Sequence, residues 1–137
     1  MFKFCKTQLW ECSRTLSDVD AAVINGNYAL GAGLDPSTAF AAEGADSQAA
    51  QEYGNVVAVR SGDEKSAKTE ALLAALQSQK VSDFITSTYS GTVVPVFTVV
   101  DDIPQATGDD TTIKVGASPT PHAEILNAAK DLLAAKG

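Results

Sequence analysis

The sequence has little of what metal sites and nucleic-acid interfaces need. It contains two cysteines, one histidine and 10 basic residues, and these are scattered along 137 positions. Too few Cys and His side chains are present for a protein-only tetrahedral zinc site, so no metal and no cofactor are predicted. Phosphate binding relies on clustered Lys and Arg, and a net charge of −7 therefore argues against a nucleic-acid partner.

Long apolar runs are also absent. No stretch approaches the ~18 apolar residues of a membrane span, so none is predicted. The opening MFKFCKTQLWEC has no continuous apolar core and no small-residue cleavage signal, and the residues before Cys5 do not form a lipobox. No intact signal peptide is expected. Cys5 and Cys12 lack a redox or metal spacing and are predicted to be buried, inert thiols, although they could pair if oxidised.

The residues that are present predict one globular domain, 1–137. A hydrophobic fraction of 45% and a charged fraction of 20% are those of an ordinary soluble protein of this length. Five segments rich in apolar or β-branched residues are predicted as strands: Lys3–Thr7, Asp18–Asn25, Asn55–Arg60, Gly91–Val100 and Thr112–Ala117. Asp18–Asn25 should be central because it is almost continuously apolar, whereas Pro95 predicts an edge segment.

Helices are predicted between these strands. Ser66 should cap a helix whose Leu72, Leu73 and Leu76 face the core, and a second helix near Lys80 to Ser87 should pack Val81, Phe84 and Ile85. Thr120 followed by Pro121 predicts the start of the last helix. A short helix ending near Gly33 and a polar connection at 41–54 complete the pattern.

The alternation of strands and helices predicts an α/β fold with a mostly parallel sheet of four to five strands flanked by helices. Ligands of such sheets bind at the carboxyl ends of the strands. The segments after Asn25, Arg60 and Ala117 are therefore the candidate binding edge.

Two asparagines follow the first of these strands. Asn25 offers a donor and an acceptor that suit an amino acid, but it could equally cap the turn that follows. Asn27 lies in the same turn, where turn chemistry is the simpler interpretation.

Three further candidates follow the last strand. Ser118 and Thr120 precede a helix N-terminus, whose free N–H groups favour a carboxylate, although Thr120 could serve only as a cap. His122 lies in the first turn and could contact a ligand or act as a base. The sequence identifies no nucleophile or metal partner for it, so a structural role is the alternative.

The stretches DVDAAVINGNYALGAGLDP, NVVAVRSGDE, ALLAALQSQKVSDFI, VVPVF and TIKVGASPTPHAEIL resemble the NlpA-type lipoproteins, the methionine-binding components of ABC transporters. The resemblance implies part of a periplasmic-binding-protein lobe and a non-enzymatic chain. It also implies an amino-acid ligand such as L-methionine, an ABC-transporter permease as partner, and a location in the cell envelope or periplasm. An asparagine contacts the ligand at the family position that Asn25 matches.

The order of the parts departs from that family. A segment like 111–137 opens the family's mature chain and one like 3–97 forms its carboxyl end, so the two parts are reversed here and joined by a linker, 98–110. The family's middle is absent. The resemblance therefore implies a permuted lobe whose binding is weak or lost, because one lobe encloses less of a ligand than two.

Two other hypotheses remain. The chain could be a permuted or fragmentary structural module that binds no small molecule and forms a homodimer through exposed apolar faces. An enzyme of flavodoxin-like architecture ranks last, because the sequence has neither a nucleophile–base pair nor a phosphate loop.

Overall fold

The structure is a computed structural model that describes residues 9–44, 46–105 and 112–136. The chain divides into two compact units, Met1–Ala42 and Glu43–Gly137. The helices of the described residues are α1 (Leu9–Cys12), α2 (Gly26–Gly31), α3 (Gln48–Glu52), α4 (Ala67–Leu76), α5 (Gln79–Tyr89) and α6 (Glu124–Ala134). None of these is long and apolar enough to cross a bilayer.

The predicted parallel sheet is wrong for the described part of the chain. That part contains one isolated bridge residue, Ala21, and no strand. The segments 55–60, 93–97 and 112–117 have no helical structure, but among the described residues no backbone hydrogen bond joins one of them to another. A β-strand is defined by its hydrogen bonds to a second strand. β-branched residues favour an extended backbone, but they do not supply the neighbouring strand that the hydrogen bonds require. The predicted strand Lys3–Thr7 lies outside the described residues.

The first unit is built from short helical turns. α2 ends as predicted at a glycine, because Gly33 takes a left-handed φ of 72° that other residues rarely adopt. The Gly33 N–H donates to the carbonyl of Leu30 at 3.0 Å and so satisfies one of the last carbonyl acceptors of the helix. Cys12 in α1 is buried and disulfide-bonded, and so differs from the inert thiol that was expected. Cys5 lies outside the described residues.

The core of the second unit lies among α4, α5 and α6, and α6 packs against both of the others. The predicted cap of α4 is confirmed, since Ser66 Oγ accepts from the Thr69 N–H at 3.3 Å. Ser78 does the same for α5: its hydroxyl accepts from the Val81 N–H at 3.4 Å and donates to the Ala75 carbonyl at 2.7 Å. These two caps place the buried side chains of consecutive helices in one core.

The centre of this core consists of small and branched apolar side chains. Val81 is fully buried, and the following residues are also buried: Ala71, Leu72, Ala75, Ile85 and Ala129. The predicted inward faces of α4 and α5 are therefore confirmed at Leu72, Val81 and Ile85.

Two features of this unit differ from the sequence predictions. The connection at 41–54 contains a helix, α3, which Ser47 caps by accepting from the Ala50 N–H at 3.0 Å. The described start of the linker is held in place, because the Val100 N–H donates to the Gln77 carbonyl at 2.9 Å and Ile103 is buried. An apolar residue within an acidic segment thus packs against the unit.

Candidate functional site

The candidate site lies in the turn Pro119–Ala123, immediately before α6. Thr120 does not cap a helix as predicted: its φ and ψ of −129° and 132° are extended, and the helix begins at Glu124. The Thr120–Pro121 peptide bond is cis. The carbonyl of Ser118 accepts from the Ala123 N–H at 3.0 Å, so the backbone rather than a side chain closes the turn.

Two of the predicted site residues are in direct contact here. Ser118 Oγ and His122 Nδ1 are 2.5 Å apart and share a hydrogen bond. Ser118 is exposed and His122 is half-buried. Which of the two groups donates depends on the imidazole tautomer, so the pair can offer a bound anion either a hydroxyl or a ring N–H.

Thr120 has a different partner. Its hydroxyl donates to Glu124 Oε1 at 2.8 Å. The other carboxylate oxygen of Glu124 accepts from the phenol of Tyr89 on α5, and the same phenol lies 3.4 Å from the carbonyl of Pro121. Tyr89 therefore connects α5 to both the turn and the first residue of α6.

The electrostatics of this network favour a charged Glu124. Burial raises the pKa of the Tyr89 phenol well above its ordinary range, and the adjacent Glu124 carboxylate raises it further. The hydrogen bonds from Tyr89 and then from Thr120 lower the pKa of Glu124. The Glu124 carboxylate thus gives the turn a negative charge. The Ser118–His122 pair lies close to it in the sequence.

Asn25 and Asn27 lie in the first unit, whereas Ser118, Thr120 and His122 lie in the second. Asn25 precedes α2, and its carbonyl accepts from the N–H groups of Tyr28 and Ala29 at 3.0 and 3.1 Å. Its side chain is exposed and makes no capping hydrogen bond. Asn27 is half-buried within α2.

Ser118 and His122 open onto a wide cleft of the second unit. The cleft has a volume of about 1720 Å³ and is lined by the non-helical segments 55–60, 93–97 and 112–118, together with α4. Small-molecule pockets are usually about 300–1,000 Å³. The segments that were predicted to pair in a sheet therefore face one common space that is larger than a single amino acid requires.

Within the ranges that the structure describes, no group of three or more His, Cys, Asp and Glu side chains could hold an ion.

Sequence reasoning missed Tyr89 and Glu124. Glu124 could have been found, because it follows Thr120 by four residues, a spacing that brings side chains together on a helical turn. Tyr89 gave no such signal, since 35 residues separate it from Glu124.

Comparison with known proteins adds what the geometry leaves open. The NlpA lipoprotein family matches residues 3–97. The methionine-binding lipoprotein MetQ of Bacillus subtilis (strain 168) is 44% identical over 77 residues, which are 56% of this chain and 27% of that protein. The membrane lipoprotein TpN32 of Treponema pallidum (strain Nichols) is 40% identical over 78 residues, or 57% of this chain and 28% of the relative. No solved structure matches.

The chain spans little more than a quarter of the length of these two relatives. The family match includes Asn25 and Asn27 and stops at Phe97, before Ser118, Thr120 and His122. It covers well over half of the 137 residues and agrees with the resemblance found in the sequence. The chain belongs to the NlpA lipoprotein family.

Proposed function

We propose that this chain is an amino-acid-binding part of an ABC-transporter substrate-binding protein, with L-methionine or a similar amino acid as its ligand. The observation that carries the proposal is its 44% identity to a methionine-binding lipoprotein. By the same relationship, the partner is an ABC-transporter permease and the location is the cell envelope. The chain acts without catalysis.

The proposed contacts are given for each unit by itself. In the second unit, the Ser118–His122 pair supplies hydrogen bonds for the ligand carboxylate, and in the first unit Asn25 and Asn27 are candidate carboxamide contacts. Thr120 acts through Glu124, whose charge suits an ammonium group. This division of charge fits a zwitterionic amino acid and disfavours a ligand with a second carboxylate.

Binding is weak or lost in this chain. Real pockets bury most of a ligand's surface, whereas the cleft beside Ser118 is open and wider than one amino acid. The reversed order of 3–97 and 111–137, with 98–110 as their linker, is part of this proposal.

Calorimetric titration with L-methionine tests the proposal. We expect a millimolar dissociation constant or no measurable heat, and sub-micromolar binding by a monomer would contradict it. If binding is measurable, Ser118→Ala should weaken it and Ser87→Ala, an exposed change on α5, should not. L-glutamate binding as tightly as L-methionine would also count against the assignment of charges.

A second candidate function is a structural module that forms a homodimer. It is favoured by the exposure of valines along the extended segments, with Val56 at 85% and Val96 at 57%. Large exposed apolar patches favour association, and a segment without a paired neighbour can add a strand from another chain. If elements are exchanged, the linker 98–110 is the hinge.

Sedimentation equilibrium over a hundredfold concentration range tests this candidate. We expect a dimer, and we expect Val56→Lys with Val96→Lys to shift the equilibrium toward the monomer. Lys65→Gln, an exposed change away from both segments, is the control. A single species at the monomer mass of 14.2 kDa throughout would rule the dimer out.

A further inference from the structure

A second cavity lies against α6, beside the turn that carries Ser118, Thr120 and His122, and none of these three residues lines it. It has a volume of about 500 Å³, within the range of ordinary ligand pockets. Ile113, Val115 and Ala117, at alternate positions of one non-helical segment, line one side. Ala71 and Leu72 of α4 and Leu126 and Leu133 of α6 line the rest of its apolar wall.

The polar part of this cavity is cationic. Its lining includes Lys130, Lys136 and Asn127, all exposed, and no acidic side chain among the residues that the structure describes. Neither lysine has an ion-pair partner among the described residues, whereas Lys80 pairs with Asp131 at 3.7 Å. Two lysines without an ion-pair partner or an acidic neighbour among the described lining residues set this cavity apart in a chain of net charge −7.

We propose that this cavity binds a small amphiphile with an unbranched apolar tail and a single carboxylate, such as a medium-chain fatty acid. The apolar wall removes the tail from water, which is the main favourable term. The lysine ammonium groups stay in solvent at the end of apolar stems and meet the carboxylate there. A zwitterionic amino acid is a poor match, because none of the described lining residues carries an acidic group to receive its ammonium. This site does not depend on the proposed function, since none of the residues proposed to contact methionine lines it.

Titration of the protein with decanoate, decanol and decyltrimethylammonium, each below its micelle concentration, tests the charge assignment. Decanoate should bind about tenfold more tightly than the cation, because each exposed ion pair contributes about two- to fivefold. No binding of decanoate, or equal binding of the cation, would overturn the proposal.

Variants separate the head from the tail. Lys130→Gln with Lys136→Gln should weaken decanoate binding about three- to tenfold and leave decanol binding unchanged, whereas the matched control Lys65→Gln should change neither. Leu133→Trp should fill the cavity and abolish binding of both ligands, with circular dichroism checking that the helices remain. Unchanged decanoate binding in the double lysine variant would also overturn the proposal.

Discussion

Tyr89, in the last turn of α5, donates its phenolic hydrogen to Glu124, the first residue of α6. The phenol ring is buried, while the carboxylate is half-buried and also receives the Thr120 hydroxyl. One side chain thus joins two core helices and orients the turn that contains the candidate site.

Tyr89→Phe should destabilise the second unit by about 1 kcal/mol, because it keeps the ring in the core and removes one hydrogen bond. Urea denaturation followed by circular dichroism measures the change. Tyr53→Phe is the matched control, since that ring is exposed, and it should have no effect. Equal stability of the two variants would mean that the phenol contributes nothing.

The stability that Glu124 contributes should depend on pH. Its pKa is lowered from an ordinary 4.5, chiefly by Tyr89, so the folded state favours the carboxylate. A group with a depressed folded pKa stabilises the protein above its unfolded pKa and loses that contribution as the pH falls through the folded value. The stability difference between the parent and Glu124→Gln should therefore shrink below pH 4.5.

Urea denaturation of the parent and of Glu124→Gln at intervals from neutral pH to below 4.5 tests this. Thr120→Val removes only the smaller hydrogen bond and should reduce the pH dependence in part. The stability that the Tyr89 phenol contributes should depend on pH in the opposite direction. Its pKa is raised from 10.0, so this contribution should be lost as the pH rises above 10.0. A constant difference between parent and variant across the acid range would contradict the assignment.

Val81→Ala should cost about 2 kcal/mol, because Val81 is fully buried and its loss leaves a cavity among α4, α5 and α6. Val56→Ala is the matched control in the same unit, since Val56 is exposed, and it should change the free energy of unfolding very little. Thermal denaturation of the two variants compares them directly. Similar losses for both would mean that 55–60 is buried in solution.

Ser90→Gly should stabilise the chain by about 0.5–1 kcal/mol. Ser90 follows α5 with a left-handed φ of 46°, a conformation that glycine adopts without a steric cost. Ser87→Gly, inside the same helix, should have the opposite sign because helical φ and ψ give glycine no such advantage. A destabilised Ser90→Gly variant would show that the serine side chain stabilises this turn.

Helices α4 and α5 of the second unit could be predicted because their signals are local. Ser66 stands three residues before the N–H group that it caps, and the apolar positions of α4 and α5 repeat at helical spacing. α3 escaped prediction because its sequence, QAAQE, has no apolar stripe and depends on the cap from Ser47. The candidate site was half predictable: Ser118 and His122 are four residues apart and do meet, whereas Thr120 was assigned to a cap that it does not form.

The sequence by itself determined the family, the Ser66 cap of α4 and the inward faces of Leu72, Val81 and Ile85, since each depends on residues close together in the chain. Tertiary structure decided the contacts of Tyr89 with Glu124 and the burial of Ile103, because residues far apart in sequence must be brought together before either exists. It also decided the absence of a sheet in the described ranges. Valine-rich segments favour an extended backbone, but a hydrogen-bonded ladder requires a second backbone at the right distance and register.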